Sequence, residues 1–214
     1  MSEKLPNGAI LSIATAFASA LTVSAATNAN GCELTVTNTL ADGEYVEYVC
    51  GWTKATNRIF RVDAADSDSI VLEGLDTSNT TLFPAGGGVG TIRKINTWQQ
   101  LSKISNFAMS GGDIQTTTEQ YLEDDFETEY TTVISAMAFT FDIADDVTNA
   151  GYLALKTISD VQGDTALMVS LKNGNKNLYK VGVFQKEDPS MEVNTIMKVS
   201  TRLSIKNKVV RYAS

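Results

Sequence analysis

The sequence predicts a mainly β fold: a two-sheet β-sandwich or barrel flanked by one α-helix, with a small all-β module inserted into it. Three observations predict it. Apolar residues recur at every second position in the opening and closing segments, which is the period of a strand. The 214 residues include 25 threonines and only three prolines, a composition suited to sheets. The stretch after Asp145 combines a capping residue with helical spacing.

In the opening segment Leu11, Ile13, Phe17, Leu21 and Val23 are odd-numbered, while Ala14, Ala16, Ala18 and Ala20 are even-numbered. Lys4 followed by small apolar residues imitates a secretory leader. A leader has no reason to keep a period of two, however, and Pro6-Asn7-Gly8 dilutes the run, so a strand of mature protein is expected from about Ile10 to Val23. No segment approaches the ~18 unbroken apolar residues of a membrane span.

Leu34, Val36, Leu40 and then Val46, Tyr48, Cys50, Trp52 keep even positions on either side of Ala41-Asp42-Gly43. Directly opposed residues of a ladder share a face. A three-residue loop with Gly43 left-handed therefore predicts a hairpin pairing Leu34 with Cys50 and Cys32 with Trp52. The two cysteines are then diagonal neighbours, poorly placed for a disulfide, and are expected as reduced, buried thiols. Short strands are expected at Arg58 to Asp63, Ser69 to Glu73 and Thr91 to Ile95. Residues 28–90 are expected to form the inserted small β-barrel, ended by a flexible glycine-rich connector from Pro84 to Gly90. Residues 1–27 and 91–214 make the discontinuous sandwich domain.

Further on, Val133, Met137, Phe139, Phe141 and Ile143 alternate along one long strand. Asp145 or Asp146 caps a helix running to about Ser159, with Val147, Leu155 and Ile158 on one face. Gly151 inside it costs about 1 kcal/mol against alanine, so the helix depends on packing. A hairpin follows, from Ala166 to Lys172 and from Leu178 to Gln185 around an Asn173-Gly174 turn. The last strand sets Met197, Val199, Leu203, Ile205 and Val209 on odd positions and Lys198, Arg202, Lys206 and Lys208 on even ones. It thus has one apolar and one basic face.

Composition limits the chemistry. With 43% hydrophobic residues the chain has ample core material, and its net charge is −8. That balance argues against electrostatic capture of nucleic-acid phosphates and of anionic membranes. There is no histidine, which removes Ser–His and Cys–His nucleophile pairs, histidine bases and histidine-containing zinc sites. Two cysteines are too few for a four-cysteine metal centre. Glu123, Asp124 and Asp125 are adjacent and do not make the facing carboxylate pair of a glycosidase. Asp63, Asp66 and Asp68 lack the glycine and terminal glutamate of a calcium loop. The Gly86 to Gly90 run has Thr91 where a dinucleotide fingerprint needs its last glycine. Asn79-Thr80-Thr81 matches a glycosylation acceptor, which acts only in a secretory context. No catalytic residue, metal or cofactor is expected.

Charge is unevenly spread. From Asp113 to Glu129 there are seven acids and no base, and from Val193 onward five bases and no acid. The acidic arm comprises Glu119, Tyr121, Leu122, Glu123, Asp124, Asp125, Phe126, Glu127 and Glu129. The basic counterpart is Lys198, Arg202, Lys206, Lys208 and Arg211. Aromatics among charges suit an interface. Opposite arms on one chain predict head-to-tail self-association, against the plainer alternative of a solvated loop and an ordinary half-polar strand.

A long strand, a capped helix, an Asn-Gly hairpin and a long terminal strand, in that order, resemble the tail tube proteins of long-tailed, non-contractile phages. Tyr121-Leu122-Glu123-Asp124-Asp125 ahead of Phe139-Thr140-Phe141 is similar to an arm of the lambda-type major tail protein. The likeness spans about residues 91–214 plus the first strand, and residues 28–90 depart from it as an insert. It implies a structural virion protein, made in the host cytoplasm and carried in the tail. Rings of about six copies would stack into a tube around the tape measure protein, bounded by terminator and tail-tip proteins. DNA would pass through the lumen without specific binding. The other readings are a secreted surface or pilus-like protein, or a carbohydrate-binding module stacking sugars on Trp52, Trp98 or Tyr121.

Overall fold

The structure, a computed structural model, describes residues 8–191 and 193–213. Lys4, Pro6 and Asn7, which enter the leader argument, lie outside the described residues. In chain order the elements are β1 (Ile10–Phe17), β2 (Leu21–Val23), β3 (Ala25–Ala26), β4 (Glu33–Thr35), β5 (Tyr45–Cys50), β6 (Arg58–Ala65), β7 (Ser69–Leu72) and β8 (Gly90–Leu101). Then come β9 (Ile104–Ser110), β10 (Ile114–Glu119), β11 (Thr128–Ile134), β12 (Ala138–Ala144), α1 (Ala150–Asp160), β13 (Asp164–Ser170), β14 (Lys176–Gln185), β15 (Lys198–Ile205) and β16 (Val210–Tyr212).

Among the described residues the fold is mainly β with one helix. One sheet runs β3-β4-β7-β6-β5-β8-β1-β13-β14-β15-β12-β9, with β2 beside β8 and β16 beside β14. β10 and β11 make a second sheet of two strands. The long sheet turns back so that β6 packs across β14 and β16, giving sandwich layers. No closed barrel forms among the described residues.

Period-two alternation divides the interior into two cores. On β1, β13 and β14, Ala14, Ala166 and Leu178 join Trp52, Tyr48, Phe60 and Ile92 in one core. Ile13, Leu167 and Val181, next in line on β1 and β13 and of opposite parity on β14, join Phe141, Leu203, Tyr152 and Leu155 in the other core, with α1. These central strands are thus covered on both faces. The first core also holds a charge cluster. Glu47 on β5 pairs with Lys180 on β14 and Arg93 on β8. Arg93 lies 4.2 Å from the ring centroid of Phe17.

Several local expectations change. The hairpin around Ala41-Asp42-Gly43 does not form. Leu34 pairs with Ala26 and Ile70, and Cys50 with Gly90. Gly43 is left-handed, but its N–H donates to the Val62 carbonyl, feeding β5 onto β6. The cysteines are free, with Cys32 buried and Cys50 half-buried, and burial raises both thiols above their usual range. The Gly86 to Gly90 run is packed: Gly88 is buried and its carbonyl accepts the Tyr48 hydroxyl. Trp52 Nε1 donates to the Pro84 carbonyl at 2.7 Å.

The helix starts later than Asp145 or Asp146. Asn149 is its cap, its side chain accepting from the N–H groups of Gly151 and Tyr152. Asp146 pairs instead with Lys103 and accepts from Thr148. Leu155 is buried as expected, while Val147 is exposed and precedes the helix. Gly151 has a packing reason: a Cβ there would sit 2.8 Å from the Gln100 carbonyl oxygen. The Asn173-Gly174 hairpin forms as β13 and β14, with Gly174 left-handed.

Candidate assembly surfaces

The strand expected from Val133 to Ile143 is two strands. Its second half, β12, buries Phe139, Phe141 and Ile143, while its first half, β11, leaves the body. β9 and β12 pair from Ile104↔Ile143 to Ser110↔Ala138, and the chain between Ser110 and Ala138 forms the arm. At its root Gly111 and Gly112 have positive φ, and a Cβ on Gly111 would lie 2.0 Å from the Ala136 carbonyl oxygen. Ser135 fastens the root, its Oγ accepting from the N–H groups of Gly112 and Asp113 at 3.0 Å. Beyond it β10 and β11 pair only with each other, and every residue of both is exposed.

At the tip, the Asp124 N–H donates to the Tyr121 carbonyl and the Asp124 carboxylate accepts the Tyr121 N–H. Asp124 therefore holds the turn. Glu119 ends β10 and Glu129 lies on β11, while Tyr121, Leu122, Glu123, Asp125, Phe126 and Glu127 form the exposed tip. Leu122 is 105% exposed and Phe126 77%. Along the arm Ile114, Tyr130, Val133 and Ile134 are exposed as well. Among the described residues, no ion pair joins an arm acid to a base.

The basic strand is interrupted. β15 ends at Ile205 and β16 resumes at Val210, both along the same edge of β14. Val199 and Leu203 are buried under α1, but Val210 and Tyr212 enter the other core. Two residues inserted between β15 and β16 offset the register on β14. Lys198 starts β15 half-buried, and Arg202, Lys208 and Arg211 are exposed. The Lys206 ammonium lies 3.3 Å from Asp164 Oδ1. Lys198 is at the end of β12 remote from the arm, whereas Ser204 pairs with Ala138 at the arm's root. Lys206 follows Ile205, whose N–H donates to the Met137 carbonyl near that root. The basic residues are thus spread along the strand, and among the described residues none pairs with an arm acid.

Sequence periodicity missed the edge strand β9, although Phe107 and Met109, two residues apart, with Gly111-Gly112 behind them, carry its signal. Phe107 stacks on Phe139 at 5.1 Å between centroids, and among the described residues no strand pairs with the outer edge of β9. Of the aromatic residues considered as a sugar platform, Trp52 is buried against Phe83 and Trp98 meets Tyr45 edge-on. Tyr121 alone of the three is largely exposed. No helix among the described residues is long and apolar enough to cross a membrane.

The described residues thus form a β-scaffold with an open edge strand and a projecting, apolar-tipped arm, the architecture of a structural subunit. Residues 50–214 match the family described as phage tail tube protein, TTP, and the chain belongs to that family. The family is structural and its place is the virion tail. A search of curated proteins finds no match.

Proposed function

We propose that this chain is a tail tube subunit of the lambda type, whose copies close into a hexameric ring. Rings stack into a hollow tube that surrounds the tape measure protein during assembly and later conducts DNA. The terminator and tail-tip proteins bound its ends, and assembly takes place in the host cytoplasm.

The arm carries this proposal. A two-stranded hairpin alone is marginal in water, and this one adds exposed Leu122, Phe126, Val133 and Ile134. Its ordering cost is met when another copy covers it. The open edge of β9 supports lateral contact, since closing a ring removes an edge that otherwise invites aggregation. The net charge of −8 favours a lumen that repels phosphate. Glu119, Glu123, Asp125, Glu127 and Glu129 are offered to a neighbour's bases. Because Asp164 engages Lys206, those bases are chiefly Lys198, Arg202, Lys208 and Arg211. Residues 1–27 and 91–214 form the tube domain in this scheme, and residues 28–90 an insert welded to it through Glu47.

The test reverses Glu123 and Asp125 to lysine, sparing Asp124 because it holds the tip turn. Circular dichroism and the thermal midpoint should match wild type, while sedimentation and negative-stain microscopy show loss of tubes. Normal tube formation by this variant refutes charge complementarity. A wild-type chain giving no rings or tubes, even when seeded with its tail-tip complex, refutes the assembly proposal.

A further inference from the structure

The arm and the loop between Ser190 and Lys198 sit at opposite ends of the same three strands. β12 pairs Ala138 with Ser110 and Ser204 at one end, and Ala144 with Lys198 at the other. The arm leaves from the first end. The loop stands at the second, roughly 20 Å away at ~3.3 Å per residue of strand. It is pinned shut: the Ser190 N–H donates to the Lys198 carbonyl at 2.8 Å. The Asp145 N–H donates to the Met197 carbonyl at 3.0 Å.

Between these pins the loop turns Met191, Val193, Ile196 and Met197 outward, with Val193 90% and Ile196 73% exposed. Apolar groups gathered on a short closed loop mark a contact surface. From Lys186 to Lys198 the sequence has two bases against three acids, Glu187, Asp188 and Glu192, so this segment offers the acidic arm an apolar contact and not a basic one. The arm tip offers the matching chemistry in Leu122 and Phe126. Features at opposite ends of one subunit meet only between copies, head to tail, and such contacts propagate as an open stack.

We infer that this loop is the seat for the arm tip of a neighbouring copy. Leu122 and Phe126 pack on Val193 and Ile196, and the thioethers of Met191 and Met197 adapt to the aromatic ring. The inference rests on the arm joining copies, and adds which surface receives it.

Two full-length variants test it: Val193→Asp/Ile196→Asp in the loop and Leu122→Asp/Phe126→Asp in the arm. All four side chains are exposed, so both variants should melt with wild type. Each alone should stay unassembled where wild type assembles. The loop variant's threshold concentration should rise at least about tenfold, from the apolar burial forgone. A one-to-one mixture retains one intact arm and one intact loop, and should form a pairwise complex by sedimentation that does not elongate. Normal assembly of the loop variant beside a failing arm variant overturns this seat and leaves the arm's role standing. Normal assembly of the arm variant overturns the arm's role itself. A mixture that forms no complex overturns the head-to-tail match.

Discussion

Removing the carboxylate of Glu47 should destabilise the fold more than removing either cation it holds. The side chain of Glu47 is 2% exposed and that of Lys180 4%, whereas Arg93 keeps 38%. Glu47→Gln leaves the Lys180 ammonium buried without a counter-charge, a situation costing about 3–5 kcal/mol. Lys180→Met leaves Glu47 still paired with Arg93, so about 1–3 kcal/mol is expected. Arg93→Gln removes only the solvated partner and should cost about 1 kcal/mol or less. Replacing both ends of the buried pair, as Glu47→Leu/Lys180→Met, removes the orphaned charge and should recover most of the loss. At roughly 2–4 °C per kcal/mol for a chain of this size, Glu47→Gln lowers the melting midpoint by about 6–20 °C. Calorimetry with parallel urea titrations reads the whole cycle. A Glu47→Gln midpoint within about 2 °C of wild type, or a double variant no more stable than Glu47→Gln, refutes the reasoning.

Three further outcomes follow from the geometry. Gly151→Ala should destabilise by about 1–3 kcal/mol in urea, although alanine is the better helix former, because its Cβ meets the Gln100 carbonyl. Lys103 and Thr148 hold the Asp146 carboxyl well below the usual carboxylate range. Its stabilisation is therefore complete at neutral pH and lost progressively as pH falls below about 4, so Asp146→Asn should approach wild type in acid-titrated urea midpoints. Burial raises both thiols, so native protein should react with a thiol reagent at neutral pH far more slowly than urea-unfolded protein, which should yield two equivalents.

The fold was legible where pairing is local. Asn173-Gly174 joins two strands that are neighbours in sequence and in space, so turn chemistry and alternation agree. The opening segment was legible only in its first half. Ile13 and Ala14 enter different cores, but register shifts between Ala14 and Phe17 turn Phe17, Leu21 and Val23 to the core that Ala14 joins, and the expected strand breaks into β1 and β2. Between Leu34 and Trp52 the same alternation misled, because parity says which face a residue takes and nothing about which strand lies beside it. β4 and β5 each found distant partners, β7 and β8. Likewise Val133 and Phe139 share one parity, yet only Phe139 is buried, since a change of direction at Ser135 to Met137 leaves no mark on the period. Asp145, Asp146 and Asn149 are all competent caps, and the choice fell to the one that lets Gly151 approach Gln100. The arm was legible as a composition, from acids and aromatics without bases. Its identity as a hairpin needed the root, where Gly111 and Ser135 set it apart from the sheet.

The distribution of covering material ties architecture to assembly. The helix covers one face of β1 and β14, and the segment around Trp52 and Phe60 covers the other, so these strands are finished within one copy. Among the described residues nothing comparable covers β9, whose Phe107 stacks on β12 and is still 44% exposed. An edge, an arm and an apolar loop are left bare on the β9, β12 and β15 end of the sheet. A subunit that met its copies there, as proposed, would gain both specificity and a reason to remain separate until it did. Each bare feature alone is small and wet, and the proposed ring and stack would bury them together. The buried pair of Glu47 with Lys180 lies in the finished part, where it joins β5 to β14.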